Sequence, residues 1–230
     1  MTLLVRSWNV FHGNTSPPSR RSYLREMVEL ATRDRPDVLC LQELPVWALP
    51  RLSPWSGMAV AAAVARPGLR PAALAGWLTR VHNGLVRSAL AGQANAILAA
   101  PERTLVELGA RQVSDGGVER RVCLAVRVDG IVVATTHLSN ERAGSVQRSE
   151  LERVRSFAEA SAREGEPVVL AGDLNLRDAR LDGYSPPGPG IDHVLVRGAP
   201  AGPLGVWPRE RRLHDGRLLS DHAPVELVLG

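Results

Sequence analysis

Lysine is missing from this 230-residue chain, so all 28 of its basic residues are arginines. Guanidinium groups keep their charge to very high pH, which makes the chain strongly basic on titration although its formal net charge is only +4. That modest excess permits phosphate-rich partners without demanding nucleic acid. Taken alone, the wealth of Arg and Ala reads as genomic base composition. Cysteine is also scarce: Cys40 and Cys123 each sit inside an apolar run. A disulfide scaffold is thereby excluded, and buried thiols in a reducing compartment are expected. The N-terminus lacks a charged segment followed by a long apolar one, and no stretch approaches 18 uninterrupted apolar residues. Secretion and membrane spanning are therefore not expected, and a cytoplasmic location is. Internal repeats, low-complexity blocks and linkers that would split a domain are absent too, so residues 1–230 read as one domain.

What is present centres on Pro167–Asn175, where Val168-Val169-Leu170-Ala171 runs into Gly172-Asp173-Leu174-Asn175. A short apolar run bounded by Pro and Gly predicts a fully buried strand. Asp173 and Asn175 are two residues apart at its exit and can project to the same side of an extended chain. A turn in which both bond their own backbone would explain this pair equally well; the rest of the chain argues for more.

Leu3 to Val10 predicts a strand with Asn9 near its end, and a helix is expected from about Ser19 to Arg33 with Leu24, Met27, Val28 and Ala31 on one face. Asp37 to Glu43 predicts the next strand, and Met58–Val64 and Ala94–Ala99 two more. Residues 71–90 suggest a helix carrying Leu74, Trp77, Leu78, Val81 and Leu85. Its basic face is thin, so core packing is expected rather than membrane binding. Strands at 103–113, 119–128 and 131–138 follow, the last two joined by the hairpin signal Asp129-Gly130. A helix over 144–163 should place Leu151, Val154, Phe157 and Ala158 on one face. After the central strand come a Gly- and Pro-rich loop over 178–190, a strand at Ile191–Val196, an undefined stretch to Gly216, and a final strand from Val225 to Leu229.

Polar groups thus arrive repeatedly where buried strands end: Asn9, Glu43, His137, Asp173 with Asn175, Asp192, and Asp221 with His222. One such residue is usually a cap. So many point to one shared cleft. The oxygen-rich mixture suits a hard cation such as Mg²⁺ or Mn²⁺ and lacks the Cys and His spacings of structural zinc.

Six segments, in order, carry a resemblance: Ser7-Trp8-Asn9-Val10, Leu41-Gln42-Glu43, Thr135-Thr136-His137-Leu138, Gly172-Asp173-Leu174-Asn175, Ile191-Asp192-His193-Val194 and Ser220-Asp221-His222-Ala223-Pro224-Val225. Asn95-Ala96-Ile97-Leu98 and Arg121 match more weakly. Together they resemble the endonuclease/exonuclease/phosphatase superfamily of deoxyribonuclease I-like, metal-dependent phosphoesterases. The resemblance implies a four-layer α/β/β/α sandwich, two mixed sheets face to face with helices outside. It implies Glu43 as the principal carboxylate for Mg²⁺ or Mn²⁺, with Asn9 and Asp221 as its helpers. It implies Asp173 as the group that orients or deprotonates water, and Asn175 and Arg121 as contacts to phosphate oxygens. His222 would pair with Asp192, and His137 would stand as the second histidine of the site. Whether Asp173 or His222 is the base stays open. Relatives that act at abasic sites carry a Tyr near the place of His137 and an acid where this chain has Phe11, which argues against that repair activity. The expected function is phosphoester hydrolysis, of a phosphodiester first, with nucleic acid one candidate substrate. A phosphomonoesterase on a small or lipid-derived phosphate is the alternative, and a non-catalytic phosphate-binding scaffold of the same fold is a second.

Overall fold

The computed structural model describes residues 2–68, 77, 92–115, 120–141 and 144–230. Its central strands are buried at almost every position, the pattern of strands covered on both faces. In β3 (Val38–Leu44), Val38 and Cys40 enter the core between two sheets, whereas Leu39 and Leu41 join the cluster built with Leu24, Met27, Val28 and Ala31 of α1 (Leu24–Thr32).

The first sheet has the order β11 (Gly205–Val206), β14 (Val225–Leu229), β1 (Leu3–Asn9), β3, β5 (Gln93–Ala99), β4 (Ala59–Arg66). The second runs β10 (Asp192–Arg197), β9 (Val168–Asp173), β8 (Ile131–His137), β7 (Val122–Val128), β6 (Leu105–Gln112). Both are mixed: β1 lies parallel to β3, and β8 parallel to β9, within otherwise antiparallel pairings. The two sheets pack face to face over a core that includes Val5, Ile97, Leu124, Val133, Val169 and Leu227. Outside the first lie α1 and α2 (Leu52–Ser56); outside the second, α3 (Ser145–Ser161) buries Leu151, Val154 and Ala158 against Val132, Ala134 and Leu170. This is the α/β/β/α sandwich expected.

Directional contacts cross the apolar interior. Gln42 Nε2 donates to Ser7 Oγ at 3.1 Å and, across the sandwich, to Thr135 Oγ1 at 2.9 Å. Asn95 Nδ2 donates to the Val122 carbonyl in the opposite sheet at 2.9 Å. At the far side of the first sheet the buried Arg6 grips both carboxylate oxygens of Asp34, at 2.7 and 2.8 Å, and lies 4.5 Å from the ring centre of Trp207. Cys40 and Cys123 are both buried and free, and burial pushes the Cys40 thiol up to about 12. Among the described residues no helix is long and apolar enough to cross a membrane.

Several expectations need correction. The first helix starts at Leu24, not near Ser19. Asn14 Oδ1 takes the N–H groups of Thr15 and Ser19, and the Gly13 carbonyl takes that of Tyr23, which closes the intervening residues into a loop. The undefined stretch before Gly216 contains β11, a 3₁₀ turn at Arg209–Arg212 and β12 (Leu213–His214). With β13 (Arg217–Leu219) and β2 (Thr15–Ser16), β12 forms a small third sheet. The helix expected over 71–90 lies outside the described residues, apart from Trp77.

Candidate active site

Strand register assembles the site. β8 and β9 are parallel and place His137 beside Asp173; β10 is antiparallel on the other flank and places Asp192 beside Asp173. The close approach of β8 and β9 explains Gly172: a Cβ there would stand 2.0 Å from the Thr136 carbonyl oxygen. From the facing sheet, β1 and β3 run parallel and deliver Asn9 and Glu43.

Asp173 is the hub, its side chain only 2% exposed. Oδ2 accepts a hydrogen bond from Asn9 Nδ2 at 3.0 Å and lies 3.4 Å from His137 Nε2 and 3.6 Å from His222 Nε2. Oδ1 accepts the Asn175 backbone N–H at 3.1 Å. Burial and the neighbouring charge of Asp192 raise its carboxyl well above the usual range, against the opposing pull of His222 and Asn9.

His222 Nδ1 lies 2.8 Å from Asp192 Oδ2. Burial works against a charged ring there, but the hydrogen bond and charge of Asp192, backed by Asp173 and Asp221, outweigh it and push the imidazole up to about 9. The ring is therefore an imidazolium at neutral pH, with protons on both nitrogens. Its loop is docked firmly. The Ser220 hydroxyl donates to the Asn9 carbonyl at 2.7 Å and accepts the His222 N–H at 3.0 Å. The His222 carbonyl accepts from Trp8 Nε1 at 3.0 Å and from Arg212 at 2.7 Å.

His137 is the opposite case. Burial, then the charges of Arg121, His222 and His12, hold its pKa well below the ordinary value. Nδ1 faces Gln93 Nε2 at 2.9 Å and Arg121 at 3.1 Å, and both can only donate. Nδ1 is therefore the acceptor, and the proton of the neutral ring sits on Nε2, aimed at Asp173. His193, inside the Ile191–Val194 motif, is structural: it joins the Gly188 N–H at 3.2 Å to the Leu176 carbonyl at 2.8 Å.

Glu43 Oε1 accepts from Asn9 Nδ2 at 3.2 Å, and Oε2 lies 3.3 Å from His12 Nε2. Burial raises the Glu43 carboxyl, and Asp221 adds to that, so the group is short of positive charge. Asn9 bridges Glu43 and Asp173 through its amide N–H groups, while its oxygen takes the Phe11 N–H at 3.0 Å. The amide thus aligns the two carboxylates. Asn175 Nδ2 donates to the Leu138 carbonyl at 3.0 Å. Asp221 stands exposed at the rim.

Backbone strain collects here. Phe11, His12, Glu43 and Ser220 all have positive φ, a conformation uncommon for residues other than Gly, Asn and Asp, and Asn175 shares it at lower cost. The nine residues singled out in sequence, Asn9, Glu43, Arg121, His137, Asp173, Asn175, Asp192, Asp221 and His222, fall at one end of the sandwich. Sequence reasoning missed His12, Gln93 and Arg212.

A divalent cation fits this donor set. Asp173, Asp192 and His222 bring one ligand atom each within 4.8 Å of one another, but there the charged ring already serves as the carboxylates' cation. Glu43 meets the Asn9 amide and the His12 imidazole and has a carboxyl raised by burial, so it is the group that a hard cation would relieve.

A family model for the endonuclease/exonuclease/phosphatase family matches residues 7–222. No curated protein matches the sequence. Among solved structures, an endonuclease/exonuclease/phosphatase family protein from Bacteroides thetaiotaomicron is 16% identical with a TM-score of 0.69, the match covering 100% of this chain and 97% of that one. A humanized D. rerio TDP2 is 19% identical with a TM-score of 0.67, covering 100% and 99%. A mannosyl-6-phosphatase from B. thetaiotaomicron VPI-5482 is 16% identical with a TM-score of 0.67, covering 99% of each chain. At such identities these structures share the fold.

Proposed function

Since the chain belongs to the endonuclease/exonuclease/phosphatase family, we propose that it is a divalent-metal-dependent phosphoester hydrolase that cleaves phosphodiesters and acts as a single domain. The observation that carries this reading is the ring of His222 held between Asp192, 2.8 Å from Nδ1, and Asp173, 3.6 Å from Nε2. A cation bound at Glu43, with Asp221 at the rim, would stabilise charge on the phosphoryl group. Asp173, raised toward neutrality and kept in place by Asn9, accepts the proton of the attacking water. His222 donates from Nε2 to a phosphoryl oxygen, its charge maintained by Asp192. Neutral His137 donates from Nε2 and fixes the Asp173 carboxylate. Asn175 and Arg121 contact phosphate oxygens.

With a divalent cation bound, the ion, His222 and Arg121 match the four carboxylates Glu43, Asp173, Asp192 and Asp221, and a singly charged diester brings less uncompensated charge into that balanced site than a doubly charged monoester.

The test is hydrolysis of DNA, RNA, a chromogenic diester and a chromogenic monoester with Mg²⁺ and with Mn²⁺. Turnover of a diester above the monoester, abolished by chelator, is expected. Turnover of the monoester alone, or of nothing, overturns the reading. The nucleic-acid arms run at two salt concentrations, because binding through arginine–phosphate contacts weakens steeply with salt.

A further inference from the structure

Immediately after β1 the chain does something costly. Phe11, His12 and Gly13 have φ of 47°, 53° and 76°, three consecutive residues in the left-handed region. Gly13 belongs there: a Cβ on it would meet Leu24 Cβ and Ser22 Oγ at 2.7 Å. Phe and His do not, because a Cβ in this conformation crowds the backbone at roughly 1–2 kcal/mol per residue. Local bonds hold the turn: Phe11 N–H to Asn9 Oδ1 at 3.0 Å, Gly13 N–H to the Val10 carbonyl at 2.7 Å, and Asn14 N–H to the Phe11 carbonyl at 2.9 Å. The result is a histidine turned inward, 4% exposed, with Nε2 3.3 Å from Glu43 Oε2.

Two things distinguish this contact from an ordinary buried ion pair. A charge-assisted N–H···O bond contracts to about 2.7–2.9 Å, as His222 and Asp192 do. His12 and Glu43 stand further apart, near the ~3.0 Å that separates adjacent ligands of an octahedral ion with bonds of about 2.1 Å. In addition, Asn9 approaches Glu43 from its other oxygen, Oε1, so that amide does not stand between Oε2 and the His12 nitrogen.

We propose that His12 is a nitrogen ligand of the cation bound at Glu43, which makes the site a mixed nitrogen–oxygen one that prefers Mn²⁺ to Mg²⁺. The inference rests on the reading of Glu43 as the cation's carboxylate. Imidazole nitrogen suits first-row transition ions, whereas Mg²⁺ holds to oxygen and its own waters. The strained turn then has a function: it sets an imidazole where the regular exit from β1 would carry the side chain elsewhere.

The test uses the full chain freed of metal and titrated with Mn²⁺ alone, without substrate. Pulsed electron paramagnetic resonance reads whether a nitrogen is bound directly to the ion, and calorimetry gives the Mn²⁺ and Mg²⁺ affinities. His12→Asn is the variant of choice, because Asn tolerates the left-handed conformation and offers oxygen in place of nitrogen. The wild type should show a bound nitrogen. His12→Asn should lose that signal and at least about tenfold of the Mn²⁺-over-Mg²⁺ preference while keeping Mg²⁺ binding. Should that variant fail to fold, His137→Asn and His222→Asn decide by elimination, since both must keep the nitrogen signal. Mn²⁺ bound without nitrogen coupling, or coupling that survives His12→Asn, overturns the inference and leaves the Glu43 reading standing. Absence of Mn²⁺ binding, or binding indifferent to Glu43→Gln, overturns the reading beneath it.

Discussion

His222 and Asp192, 30 positions apart in sequence, meet at 2.8 Å, and the same ring turns its other nitrogen to Asp173 at 3.6 Å. One imidazole therefore carries a charge set by one carboxylate and spends it beside another. Asp192→Asn preserves the shape and removes the charge that holds His222 protonated. Turnover of a diester should fall roughly 10²–10⁴-fold. The double variant with His222→Ala should be scarcely worse than either single one, because the two act as a unit. Steady-state kinetics on the four proteins checks this, and multiplicative losses would show independent roles.

Glu43→Gln separates binding from folding. The buried carboxyl is already pushed up by its surroundings, so neutralising it should not lower the melting temperature. Divalent-ion affinity should fall by at least roughly 10–100-fold. Calorimetry with Mn²⁺, beside a thermal melt, reads both. A variant that melts early with its affinity intact would assign Glu43 a structural task.

Gly172→Ala would press a methyl group to within 2.0 Å of the Thr136 carbonyl oxygen, and both partners are backbone. β8 and β9 must then separate where they align His137 with Asp173. A loss of about 3 kcal/mol is expected, or roughly 6–12 °C in melting temperature for a domain of this size. Turnover should drop with it. Unchanged thermal stability would mean that the strands part more easily than their register implies.

The Arg6–Asp34 pair governs part of the acid stability. The Arg6 hydrogen bonds hold the Asp34 carboxyl below its ordinary value, against partial burial. The stabilisation is therefore complete above the unfolded-state value of about 3.9 and is lost as pH falls through the lower folded-state value. Because Asp34 is 44% exposed, the effect is modest, about 1 kcal/mol. Melting temperatures of wild type and Asp34→Asn should differ by roughly 2–4 °C at neutral pH and converge in acid. A gap that widens in acid would contradict the linkage.

Much of this site is readable in the sequence because its strands are buried on both faces. In a run such as Val168-Val169-Leu170-Ala171 every position is apolar, so Asp173 at the end stands out; so do Asn9, Glu43, His137 and Asp192. Strand order and register, which bring these ends together, follow from long-range pairing that no local pattern encodes. His12 was illegible for a different reason. It lies in a loop, and its inward aim depends on three left-handed residues rather than on a period of two or 3.6. Arg212 sits in a 3₁₀ turn between two-residue strands too short to show any period, yet it holds the His222 carbonyl. Gln93 is the first residue of β5, where a polar side chain draws no notice.

The amides that span the sandwich carry a mechanical consequence. Glu43 belongs to one sheet and Asp173 to the other, and apolar packing between them is non-directional, so it resists pulling apart better than sliding. Gln42, next to Glu43, reaches Thr135, two residues from His137, and Asn95 reaches Val122, next to Arg121. These bonds pin the layers against lateral slip at the depth where the reacting groups meet. The core keeps the molecule folded; these carboxamides, with Asn9 bonded to Asp173, keep its halves in alignment.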